Sequence, residues 1–177
     1  MDGTFQIQQL PPEVRSMIFR ALPVEDVKSC RLTCPKWNDE IIADTLLMRK
    51  IYDAISPSSV IEEAYQGNLP FFHELVQFAT NRNPANQWGT TPLHWAAMCG
   101  HRDVCQLLLD HVEVKDPADQ LGYTPLHLAA CYGRVDICCL LLDHVENKHP
   151  RNNDGETPLA LAQKQGHGAV VELFAEN

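Results

Sequence analysis

The chain of 177 residues is 45% apolar and 21% charged, with 14 basic against 23 acidic side chains and a net charge of −9. Apart from the adjacent Arg49-Lys50 its Lys and Arg are scattered singly, which excludes the clustered basic footprint of a nucleic-acid binder and argues equally against an anionic membrane surface. The longest apolar run, Ile137 to Leu142, falls far short of the roughly 18 residues a membrane span requires. Met1-Asp2-Gly3-Thr4 carries no basic n-region and Phe174-Ala175-Glu176-Asn177 no prenylation box, so the expected setting is cytoplasmic or nuclear. Seven cysteines, an odd number with no pairing pattern, fit that reducing compartment. Cys30 and Cys34 are four apart but no second pair completes a ligand set, so no metal or cofactor is expected.

The first 55 residues predict three helices. Leu10-Pro11-Pro12-Glu13 opens a helix carrying Val14, Met17, Ile18 and Leu22 at helical spacing, and Pro23 closes it. Glu25-Asp26 start a second, short one holding Val27 and Cys30. Pro35 precedes a third stretch with Trp37, Ile41, Ile42, Leu46, Leu47 and Ile51. So small a core is marginal alone, and Ile7, Leu10, Phe19 and Val24 are surplus to it. The series Leu10-Pro11-x-Glu13-Val14, Ile18-Phe19, Leu22, Asp26-Val27, Cys30, Cys34, Trp37 closely resembles an F-box over about residues 5–52. The resemblance implies docking onto the Skp adaptor of a cullin–RING ubiquitin ligase, with Leu10, Pro11, Glu13, Ile18, Leu22, Val27 and Trp37 as the adaptor-facing candidates. It departs from the family at Leu46-Leu47-Met48, where F-boxes often carry a Leu-Trp pair.

A short junction, about Asp53 to Ser59 with Ser56-Pro57-Ser58-Ser59, separates this unit from a different grammar. It is too short for a flexible tether, so the N-terminal unit is expected to pack near the first repeat unit and cap it. Thr91-Pro92-Leu93-His94-Trp95-Ala96-Ala97 returns as Thr124-Pro125-Leu126-His127-Leu128-Ala129-Ala130, and more weakly as Thr157-Pro158-Leu159-Ala160-Leu161-Ala162. A fixed period of 33 residues marks a solenoid whose units bury their apolar faces only against neighbours. Threonine is a good N-cap and proline at the first helical position loses no hydrogen bond. Gly100 and Gly133 then predict left-handed helix ends. A second helix follows in each unit, with Asp103 or Asp136 near its start. Its apolar stripe reads Val104, Leu107, Leu108 and then Ile137, Leu140, Leu141. Gly89, Gly122 and Gly155 mark a turn before each Thr-Pro. Trp95 is expected in the core because it replaces Leu128, and Cys105 and Cys138 read as buried small hydrophobes.

Turn, Gly-x-Thr-Pro-Leu-His, helix, Gly, helix: this pattern resembles the ankyrin repeat over roughly residues 58–177. The expected organisation is all-α, with an F-box at 1–55 and an ankyrin-repeat domain at 56–177. Its units lie at about 58–90, 91–123, 124–156 and 157–177, the first and last being degenerate caps. The resemblance implies that His94 and His127 brace each helix to a neighbouring turn rather than catalyse. It also places the recognition surface at the positions the repeat leaves free, beside the turn glycine and before the helix-ending glycine. Trp88, Met98, Leu121, Tyr123, Tyr132 and Asn153 are the candidates, since aromatic side chains are typical interface anchors.

Together these readings predict the substrate-recognition subunit of an SCF-type ubiquitin ligase, holding an adaptor by one half and a target protein by the other. The alternative is a stoichiometric binding or inhibitory protein whose N-terminal helices only cap the solenoid. An enzyme is not expected: the sequence offers no catalytic, cofactor-binding or metal residues, no phosphate loop and no nucleophile elbow.

Overall fold

A computed structural model divides the chain into two compact units, Met1–Ile55 and Ser56–Asn177, and describes residues 45–176. The adaptor-facing candidates Leu10, Pro11, Glu13, Ile18, Leu22, Val27 and Trp37 lie outside the described residues. Of the first unit, the described part is helix α1 (Thr45–Ala54), which takes in Leu46, Leu47 and Ile51.

The second unit is built of four helix pairs. They are α2 (Pro57–Gln66) with α3 (Leu69–Phe78), α4 (Pro92–Cys99) with α5 (Arg102–His111), α6 (Pro125–Cys131) with α7 (Val135–His144), and α8 (Pro158–Gln165) with α9 (Gly168–Glu176). Among the described residues there is no strand. Helices α2, α4, α6 and α8 pack in series as one row, and α3, α5, α7 and α9 as a second row behind it.

The 33-residue period puts equivalent side chains in columns along the stack. Ala64, Ala97 and Ala130 are fully buried, and so are Ala96, Ala129 and Ala162. Residues without a side chain beyond Cβ let neighbouring helices approach closely at both sites. In the second row Leu75, Leu108, Leu141 and Phe174 form one buried column, and Phe71, Val104, Ile137 and Val170 another. Each fully buried Leu contributes about 1.5–3 kcal/mol relative to an exposed one, so the stack is held by repetition of a small unit. Cys105 and Cys138 occupy the slot that Phe72 fills in the first pair, all three being buried. Burial pushes both thiols up to about 12. They behave as small hydrophobes.

Three details differ from the sequence reading. The buried stripe of α5 is Val104, Cys105, Leu108 and Leu109, while Leu107 is half-buried. An i, i+1, i+4, i+5 pattern covers the wide face a helix presents when it packs on two neighbours and on its own pair at once. Trp95 is also only half-buried: its ring meets Tyr65 edge-on, with centroids 5.9 Å apart, and its indole Nε1 is enclosed without a hydrogen-bond partner. Its counterpart in the next unit, Leu128, is half-buried as well, so the position lies at the edge of the core. Finally, Ser56-Pro57-Ser58-Ser59 is no linker. Ser56 is the N-cap of α2, accepting from Ser59 N at 3.2 Å, and Pro57 is its first residue. The first pair therefore starts on a Ser-Pro signal displaced by two residues from the Thr-Pro register of the later units.

Candidate protein-recognition face

Three sets of hydrogen bonds, each repeating at the 33-residue period, position this face. The first is centred on the Thr-Pro-Leu-His segment. Thr91 N–H donates to His94 Nδ1 at 3.1 Å, and Thr124 N–H to His127 Nδ1 at 3.1 Å. Histidine thus stands at the position that glutamate takes in a capping box. It does what glutamate cannot, because its second nitrogen is a donor. His94 Nε2 donates to Tyr123 O at 3.0 Å, and His127 Nε2 to Glu156 O at 3.2 Å. The carbonyls accept only, so each ring is the neutral Nε2–H tautomer. Burial, the largest influence on both, holds the two imidazoles below the usual histidine value of 6.5. Each ring joins one unit to the turn of the next. In the last unit Ala160 replaces it, and Thr157 Oγ1 accepts from Ala160 N at 3.2 Å instead.

The second set shapes the turns. Asn86 Oδ1 accepts from Trp88 N and Thr90 N, both at 3.0 Å. Asp119 Oδ1 accepts from Leu121 N at 2.9 Å and Tyr123 N at 2.8 Å. Asn152 Oδ1 accepts from Asp154 N at 3.1 Å and Glu156 N at 2.9 Å. Each carboxamide or carboxylate closes a loop over a left-handed glycine, at φ 78° for Gly89 and 79° for Gly122. The tips are then tied edge to edge: Gln120 N donates to Trp88 O and Asn153 N to Leu121 O, each at 3.0 Å. Asn153 Nδ2 also donates to Gln120 O at 2.9 Å.

The third set lies at the opposite ends of the same helices. His101 Nε2 donates to Tyr65 O at 2.8 Å, Arg134 Nε to Met98 O at 3.0 Å, and His167 Nε2 to Cys131 O at 2.9 Å. The sequence reading missed both the Asn86, Asp119, Asn152 set and the His101, Arg134, His167 set. Each recurs at the same 33-residue spacing that revealed the threonines, and spacing alone was the signal available.

Of the six candidate recognition residues, Trp88 and Leu121 stand at equivalent turn tips and are 59% and 64% exposed, while Tyr132, at the end of α6, is 50% exposed. Asn153 is exposed but spends its amide on the ladder. Met98 and Tyr123 are half-buried; the Tyr123 ring lies against His127 with centroids 5.7 Å apart. Lys164 Nζ donates to Glu156 Oε1 at 3.1 Å. That contact brings the residue after a turn glycine together with the residue two before a helix-ending glycine, which places both classes of free position on one face. Tyr65, 52% exposed, belongs to the same class in the first unit and was not among the candidates.

The family model for ankyrin repeats (three copies) matches residues 61–152, just over half of the chain. The chain belongs to the ankyrin-repeat family. An F-box-like domain matches residues 7–54, making this an F-box protein with C-terminal ankyrin repeats. The fourth helix pair, α8 with α9, follows the matched ankyrin region. The chain is also similar to osteoclast-stimulating factor 1 of Monopterus albus, at 39% identity over 54 residues. That segment is 30% of this chain and 25% of the relative, so the chain spans about a quarter of the relative's length. Among the described residues no group of three or more His, Cys, Asp or Glu is placed to hold a metal ion, and no helix is long and apolar enough to cross a membrane.

Proposed function

We propose that this protein is the substrate-recognition subunit of an SCF-type ubiquitin ligase. Its F-box-like segment would hold the Skp adaptor through Leu10, Pro11, Glu13, Ile18, Leu22, Val27 and Trp37. Its ankyrin face would hold the protein to be modified. The observation that supports this reading is the pairing, in one chain, of an F-box-like segment at 7–54 with ankyrin repeats whose turn tips expose Trp88 and Leu121. Large apolar side chains at loop tips are costly to hydrate and are characteristic of recognition surfaces. Catalysis would be by proximity: the receptor raises the effective concentration of a target lysine near a conjugating enzyme's thioester, with no covalent step on this chain. The work is done in the cytoplasm or nucleus, where that machinery operates.

The test is co-purification of the full chain with the Skp adaptor, with a Leu10→Ala/Pro11→Ala variant as control. A complex lost in a variant that keeps its helical content supports the receptor. Absence of a complex with folded wild-type protein overturns it and leaves an ankyrin-repeat binder capped by its N-terminal unit. Trp88→Ala/Leu121→Ala is expected to do the reverse, keeping the adaptor and losing the target.

A further inference from the structure

We infer that the ankyrin face takes an extended segment carrying two apolar side chains and a Lys or Arg, one of the three for each successive turn. The inference rests on the recognition role proposed for this face and specifies what it recognises.

The position just before the turn glycine reads Trp88, Leu121 and Asp154 in successive units, and all three side chains are exposed. The tip row therefore grades from two apolar residues to a carboxylate. The backbone ladder that ties the tips together, Gln120 N to Trp88 O and Asn153 N to Leu121 O, fixes them at the repeat spacing. Packed helices lie about 8–10 Å apart, and an extended chain rises about 3.3 Å per residue. One tip thus corresponds to about three residues of an extended segment. The matching pattern is apolar-x-x-apolar-x-x-Lys/Arg, or its reverse.

Charge selects the third position. The three turns carry carboxylates at Asp119, Asp154 and Glu156, and no Lys or Arg stands in 86–91 or 119–124. Two cations stand at the third turn: Arg151 donates to Gly155 O and Lys164 to Glu156. Across residues 56–177 acidic side chains outnumber basic ones, 15 to 7. At the turns the three carboxylates outnumber the two cations, leaving a net negative field beside two apolar tips, complementary to an apolar segment ending in a cation.

The probe is a display library of random 12-residue peptides panned on the immobilised full chain, with a Trp88→Ala/Leu121→Ala/Asp154→Lys variant as counter-target. The expected result is enrichment of two apolar residues three apart, with Lys or Arg three beyond. Synthetic peptides of that pattern should lose at least tenfold in affinity against Trp88→Ala/Leu121→Ala. Against Asp154→Lys they should lose severalfold, with weaker dependence on salt. Enrichment of acidic peptides, of peptides with no fixed spacing, or of peptides that bind the counter-target equally would overturn the inference, as would no enrichment at all. Adaptor co-purification in parallel keeps the two readings apart, since it fails only if the receptor reading fails.

Discussion

The imidazole of His167 occupies the space where a side chain on Gly133 would begin: a Cβ there would stand 2.6 Å from His167 Nδ1. The same ring donates to Cys131 O, so the glycine and the histidine of the next unit form one joint. Gly67 and His101 repeat the relationship at 2.5 Å.

This joint separates two reasons for glycine. Gly133 and Gly166 share the left-handed backbone, at φ 67° and 77°, but a Cβ on Gly166 would meet nothing within 4 Å. Gly166→Ala should therefore cost only the conformational strain, about 1 kcal/mol. Gly133→Ala should cost about 2–3 kcal/mol, because the histidine must also leave its carbonyl. Urea denaturation of the two variants checks this. Equal losses would show that the contact carries no energy, and adding His167→Ala to Gly133→Ala should cost less than the sum of the single changes.

The buried histidines predict a pH dependence. Both His94 and His127 have folded values held below 6.5 by burial, so the unfolded chain takes up protons that the folded chain refuses. Their stabilisation is complete above the unfolded value. It falls as pH drops through 6.5 toward the folded values, by at most about 1.4 kcal/mol per pH unit for each ring. Urea midpoints at pH 8, 6.5 and 5.5 should fall in that order. The decline should flatten in His94→Gln/His127→Gln, which starts about 2–4 kcal/mol lower from the lost inter-unit bonds. An unchanged slope in that variant would assign the pH dependence to other groups.

Asp116 offers a stabilising substitution. Its Oδ1 is enclosed without a hydrogen-bond partner, and burial raises its carboxyl above the usual range against a smaller opposing bond to Thr124. One period earlier Asn83 holds the same place, and its Oδ1 accepts from Leu93 N at 3.1 Å. A raised folded value contributes stability only below the unfolded value and is lost as pH rises through the folded one. Asp116→Asn should therefore raise the urea midpoint at pH 7, by up to about 1 kcal/mol, and give no gain at pH 3. A loss at pH 7 would mean that the charge is needed by Thr124.

Thiol reactivity should sort by position. Cys105 and Cys138 are buried with thiols at about 12, and the thiolate is the reactive form. Iodoacetamide at pH 8 should leave both unmodified in the folded protein while reaching them in urea. Peptide mass mapping reads the outcome, and native labelling at Cys105 would show that α5 opens readily.

Much of the second unit was legible because its signals recur in identical residues. Thr91 and Thr124, Gly100 and Gly133, Ala97 and Ala130 announce caps, stops and close packing by repeating unchanged. The joints were harder to read because unlike residues perform them. Arg134 makes the bond that His101 and His167 make, and Asp119 makes the turn that Asn86 and Asn152 make. What recurs is a donor of suitable reach or an acceptor oxygen, not a letter. Ser56-Pro57 reads as a junction for a related reason: it is a sound helix start, but two residues out of register. The half-buried state of Trp95 depends on Tyr65 of the preceding unit, a pairing that no local pattern encodes.

The ladder joining the turn tips runs largely through main-chain groups: Trp88 and Leu121 contribute their carbonyls, and the N–H groups of Trp88, Leu121 and Asp154 go to the turns beneath. Their side chains therefore carry no duty in holding the stack together. Substitution at 88, 121 or 154 leaves the scaffold's bonds in place, so variation can rewrite what the protein grips without first having to rescue its folding.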